Sequence, residues 1–102
     1  MTTDTQPVTD EKVKIEKKVP NKYKVIFLND DTTPVNWVVE ILKEIFRHTT
    51  LSAEALTMIV HTEGSAVVGT YAFEIAESKI AETINSSRDN GFPLVAKIEE
   101  EK

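Results

Sequence analysis

Lys22-Tyr23-Lys24-Val25-Ile26-Phe27-Leu28-Asn29-Asp30-Asp31-Thr32-Thr33-Pro34 carries a strand into the start of a helix. β-Branched and aromatic residues crowd one strand length, and polar Lys22 and Lys24 alternate with Tyr23 and Val25. Asn29 to Pro34 then concentrates turn formers. Pro34 suits the first helical position because its fixed φ fits and its missing N–H is not needed there, which makes Thr33 the expected N-cap.

Past that turn the period changes. Val38, Ile41, Leu42 and Ile45 fall at i, i+3, i+4 and i+7, so a helix with one buried stripe is expected to about His48. Thr49 or Thr50 can cap a second helix, with Glu54 in its first turn and Leu56, Ile59 and Val60 on one face. Gly64 is its C-terminal stop, just past His61. Ser65 to Tyr71 reads as a second strand, weakened by Gly69. A third helix carries Phe73, Ala76, Ile80 and Ile84 on one edge, with Glu74, Glu77 and Glu82 largely off it. Asn90-Gly91 and Pro93 end that run, and Leu94 to Ile98 is the last strand. The order β-α-α-β-α-β predicts an α+β, two-layer sandwich: a three-stranded sheet with three helices packed on one face.

The chain has 102 residues, 40% of them hydrophobic, enough for one core and too few for two. Residues 1–21 carry four Lys and four acids, two Pro and no sustained periodicity, and read as a disordered arm ahead of a core domain at residues 22–102. Twelve Lys and Arg against 17 Asp and Glu leave a net charge of -5, the wrong sign for neutralising phosphates, so nucleic acid is not an expected partner. Cysteine is absent, which removes disulfides and thiolate chemistry and fits a reducing compartment. No apolar run approaches the roughly 18 residues of a membrane span, and Met1 to Pro20 lacks the apolar block of a signal peptide. A soluble cytoplasmic protein with no membrane partner is expected.

Asn29-Asp30-Asp31 is the most unusual local feature. Turn and cap duty is the commoner role of such residues. The functional alternative is a cation-binding corner, because an ammonium has three donors and needs oxygen lone pairs held in place. His61 divides the same way: most such histidines are surface or cap residues, yet one directly after buried-face Val60 can aim its ring past the core edge. Catalysis fits poorly. There is no nucleophilic Cys, no Gly-x-Ser-x-Gly elbow, no phosphate-cradling glycine loop and no His-x-x-x-His pair, and Asp30, Asp31 and His61 alone are a weak metal set. Neither an enzyme nor a cofactor is expected. Trp37, Phe46 and Phe73 read as packing residues.

Taken together, Tyr23-Lys24-Val25-Ile26, Asn29-Asp30-Asp31-Thr32-Thr33-Pro34, Val60-His61-x-x-Gly64, Glu74-Ile75-Ala76-Glu77-Ser78-Lys79 and Pro93-Leu94 resemble the ClpS family over about 80 residues, the whole body. The resemblance implies a three-stranded antiparallel sheet with three helices, similar to the C-terminal domain of the ribosomal stalk protein. It implies a monomeric, non-catalytic adaptor of the N-end rule. Such an adaptor hands N-degron substrates, which begin with Phe, Leu, Tyr or Trp, to a ClpA- or ClpC-type AAA+ unfoldase feeding ClpP. Carried over by position, Asn29, Asp30 and His61 would hold the ligand's free α-amino group. Asp31 and Thr33 would shape the pocket entrance, and Val35, Val38, Thr57, Val60 and Leu94 would line the cavity for the first side chain. Glu74 and Lys79 would face the unfoldase. Val35 stands where the family often has Met, and Thr57 where many members are apolar, so the resemblance implies the hydrophobic class and not a ranking within it. The alternative from another class is a docking domain without a ligand pocket, stalk-like, working through the third helix.

Overall fold

The structure, a computed structural model, describes residues 21–101. The expected arm, apart from Asn21, lies outside the described residues. Strand β1 spans Lys22–Leu28, helix α1 Val35–Glu44, helix α2 Thr50–Glu63, strand β2 Ser65–Ala72, helix α3 Phe73–Asp89 and strand β3 Val95–Glu100. The sheet order is β2-β1-β3 with both pairings antiparallel, so β1 is the central strand. This is the expected α+β sandwich in the expected order.

Alternation along β1 decides what the sheet buries. Tyr23, Val25 and Phe27 face the helices, and Val25 and Phe27 are fully buried in the same core as Ile41 and Leu42 of α1 and Ala76 of α3. The register slips by one between Val25 and Ile26, which pair with Gly69 and Val67 and leave Val68 as the extra residue of a bulge. His48 holds that bulge: its Nε2 donates to the Val68 carbonyl at 2.6 Å.

Several local expectations change. The N-cap of α1 is Pro34, in extended conformation, and the first helical residue is Val35. Thr33 does not cap the helix, because its hydroxyl donates to Asp30 Oδ2 at 2.8 Å instead. Helix α1 ends at Glu44, short of His48. Arg47 adopts a left-handed φ of 61° and the His48 N–H donates to the Leu42 carbonyl, which reverses the chain while Ile45 stays buried. Thr49 caps α2, accepting from the Ser52 N–H at 3.1 Å.

Its buried face is Ala53, Thr57 and Val60, whereas Ile59 is 43% exposed. The buried Thr57 hydroxyl is satisfied by donating to the Ala53 carbonyl at 2.7 Å, so a polar residue occupies a core position without an orphaned donor. Helix α3 likewise buries Thr83 and Ser87 while Phe73 lies exposed at its start, edge-on to Tyr23. Thr83 donates to the Lys79 carbonyl, and Ser87 accepts from Trp37 Nε1 at 3.0 Å. These bonds use polar side chains where periodicity expects apolar ones. Among the described residues no helix is long and apolar enough to cross a membrane.

One bond positions the rest of the molecule. Gly64, with φ of 93°, stops α2 and donates to the Val60 carbonyl at 3.0 Å, and its own carbonyl accepts from the Asn29 N–H at 2.9 Å. The end of β1 is thereby fixed to the end of α2. Because a side chain at this φ crowds the backbone, Gly64→Ala should lower stability by about 1–2 kcal/mol, read as a reduced urea midpoint. An unchanged midpoint would show that the backbone there does not need glycine.

Candidate functional site

Asp30 organises the turn after β1. Its Oδ1 accepts from the backbone N–H groups of Thr32 at 2.8 Å and Thr33 at 2.7 Å, and its Oδ2 accepts from the Thr33 hydroxyl. This Asx-type arrangement folds Asp30 to Thr33 back toward the first turn of α1. Burial pushes the Asp30 carboxyl pKa up, but the Thr33 N–H, the Thr33 hydroxyl and the Thr32 N–H outweigh it and hold the group below its ordinary 3.8. A carboxylate offers about four lone-pair sites. Three are taken, so one on Oδ2 remains for a further donor.

The turn, the start of α1 and the second half of α2 enclose a cavity of about 340 Å³, at the lower end of the roughly 300–1,000 Å³ usual for ligand clefts. Its depth is made by Val38, Thr57 and Val60, each buried, and its lip by exposed Asn29, Asp31, Val35 and His61. Thr57 presents no free donor to this space because its O–H is spent on the helix. Among the described residues, the side chains of Asn29, Asp31 and His61 have no hydrogen-bond partner, so their acceptors face the opening uncommitted. Among the described residues, two carboxylates and no Lys or Arg line it. The arrangement suits a ligand with an apolar body and a cationic, donor-rich end. Among the described residues no group of three or more His, Cys, Asp or Glu could hold a metal ion.

Nine of the residues singled out in the sequence thus meet at one cavity: Asn29, Asp30, Asp31, Thr33, Val35, Val38, Thr57, Val60 and His61. Leu94 does not line it. Leu94 sits on the stretch leading into β3, buried in the core, and lines a second cavity of about 310 Å³ with Ile84, Arg88 and Phe92. Thr32 and Pro34 also line the first cavity and were not singled out. The Asp-x-Thr spacing that lets Asp30 cap two following N–H groups is the signal that could have found Thr32.

The two expected partner-facing residues part company. Glu74 is exposed in the first turn of α3. Lys79 is partly buried: its ammonium donates to the Ile45 carbonyl, the C-cap of α1, at 2.7 Å and lies 5.7 Å and 5.3 Å from the Phe46 and Tyr71 ring centres. Five residues apart, the two side chains leave the helix about 140° from one another. Burial pushes the Tyr71 hydroxyl pKa up.

Residues 18–97 match the ClpS family, described as ATP-dependent Clp protease adaptor protein ClpS. The chain is 38% identical over 94 residues to the ATP-dependent Clp protease adapter protein ClpS of Erwinia tasmaniensis, covering 92% of this chain and 89% of the relative. It is 41% identical over 91 residues to the protein of the same name from Shewanella piezotolerans, with 89% of each covered. Among solved structures, Agrobacterium tumefaciens ClpS2 bound to L-phenylalaninamide superposes with a TM-score of 0.78 at 40% identity, over 80% of this chain and 99% of that one.

Because the Asp30 pKa is lowered on folding, the stability it contributes is fully present above the ordinary 3.8 and is lost as pH falls through the depressed folded value. Asp30→Asn should therefore lower the urea midpoint at pH 6, and the gap to the parent protein should close toward pH 2. A gap independent of pH would contradict the hydrogen-bonded carboxylate.

Proposed function

This chain belongs to the ClpS family of ATP-dependent Clp protease adaptors, and on that premise we propose that it recognises substrates by a hydrophobic N-terminal residue together with its free α-amino group. The observation that carries the reading is the division of the cavity into a buried, largely apolar depth and an acceptor-rich lip that, among the described residues, holds no Lys or Arg. An ammonium leaves water only where charge-assisted hydrogen bonds replace its hydration, so its partners belong at the rim. The side chain beside it gains by moving inward. Asn29, Asp30 and His61 are assigned to the amino group. Asp31 and Thr33 are assigned to the entrance, and Val35, Val38, Thr57 and Val60 to the first side chain. Leu94 is assigned to the wall only through the core behind it.

Burying one Leu or Phe side chain contributes roughly 1.5–3 kcal/mol, and each hydrogen bond to a charged group roughly the same. Set against the several kcal/mol lost on association, this points to an affinity no tighter than about micromolar. Weak, reversible capture suits an adaptor that must hand its cargo on. In this reading the protein performs no catalysis, works as a cytoplasmic monomer, and delivers cargo to a ClpA- or ClpC-type unfoldase. The delivery contact is assigned to the exposed face around Glu74, with Lys79 bracing α3 against α1 behind it.

A peptide beginning with Phe should bind, and its N-acetylated twin should bind at least tenfold more weakly, by calorimetric titration. Equal binding of the two would remove the amino-group assignment. His61→Ala should weaken binding by about tenfold or more while leaving the unfolding free energy from urea titration within about 0.5 kcal/mol of the parent, because the side chain is exposed.

A further inference from the structure

Large apolar side chains are exposed on α2 outside its buried face. Leu51 is 78% exposed and Met58 is 54% exposed, and Ala55 lies exposed between them. The spacing i, i+4, i+7 places these three in one row along the helix. Neither Leu51 nor Met58 lines either cavity or joins the core. The row begins at the cavity: Met58 is one turn back from His61, and His61 forms the lip.

We propose that this row is a second recognition surface, on which the residues that follow the captured N-terminal residue lie as an extended chain with apolar side chains. The inference rests on the reading of the cavity given above and extends it from one residue to a segment. Continuity with the lip identifies the occupant. A ligand whose α-amino group is held between the Asn29–Asp31 corner and His61 leaves the cavity at His61, where the row starts. From His61 to Leu51 the helix advances about 15 Å, which an extended peptide covers in about five residues. The row therefore accommodates ligand residues two to about six. A second copy of the chain fits less well. Each copy carries a net charge of -5, and Glu54 lies beside the row, three residues after Leu51 and four before Met58, so like charges would meet around a small contact.

The test compares three probes by calorimetry: L-phenylalaninamide, a six-residue peptide beginning with Phe and continuing with Leu and Ala, and one beginning with Phe and continuing with Gly and Ser. The protein should bind the apolar peptide about three- to tenfold more tightly than the Gly/Ser peptide. Lengthening the apolar peptide beyond about six residues should add nothing. The L51S/M58S double variant should bind L-phenylalaninamide as the parent does and lose the preference between the two peptides. Equal affinity of the parent for both peptides, or a preference that survives in the double variant, would overturn the row as a recognition surface. So would a dimer by light scattering that the double variant abolishes. Failure of L-phenylalaninamide itself to bind would instead remove the cavity reading beneath, and this inference with it.

Discussion

The hydrogen bond from the Asn29 N–H to the Gly64 carbonyl joins two chain segments thirty-five residues apart in sequence, and the site exists because of it. Strand β1 delivers Asn29 and the turn that follows, while helix α2 delivers Thr57, Val60 and His61. Neither element alone makes a concave surface. Gly64 allows α2 to stop with a left-handed residue, which frees its carbonyl to meet the outgoing strand. Asp30 then uses its carboxylate to fold the next three residues inward. Its hydrogen bonds make the corner rigid before any ligand arrives, which reduces the ordering cost of binding.

Two kinds of residue therefore share the site without competing. Val38 and Val60 are core residues whose outer edges are also the cavity wall, so packing holds the wall in place. Thr57 reaches the same wall by donating its hydroxyl to its own helix. Asn29, Asp31 and His61 are exposed at the opening, and among the described residues their side chains make no hydrogen bond. The scaffold is stabilised by one set of side chains and the chemistry is presented by another, so lip substitutions are expected to change recognition more than stability.

Much of this was legible in the residues. The β1 alternation, the α1 stripe and the Gly64 stop placed the elements in order, and the turn after β1 announced itself through Asn and Asp. What escaped did so for local physical reasons. Thr33 reads as an N-cap until Asp30 is seen to take its hydroxyl. Ile59 matches a helical face that the core does not use, because Ala53 and Thr57 give α2 a smaller side against α1 and the sheet. Leu94 lies one residue before β3 and belongs to the core beneath a different cavity, a distinction that periodicity cannot draw. Lys79 is a residue that the resemblance turns toward the unfoldase, yet the Ile45 carbonyl at the end of α1 and the rings of Phe46 and Tyr71 draw its ammonium inward. For Thr33 the deciding partner is three residues back, whereas for Lys79 it lies thirty-four residues away, where propensity and spacing carry no information.

The most direct measurement is an experimental structure of the chain with L-phenylalaninamide. The account predicts the ligand's amino nitrogen within about 3 Å of acceptors on Asn29 and His61, with the phenyl ring between Val38, Thr57 and Val60. A ligand seated in the second cavity beside Arg88 and Leu94, or one whose amino group faces water, would contradict it.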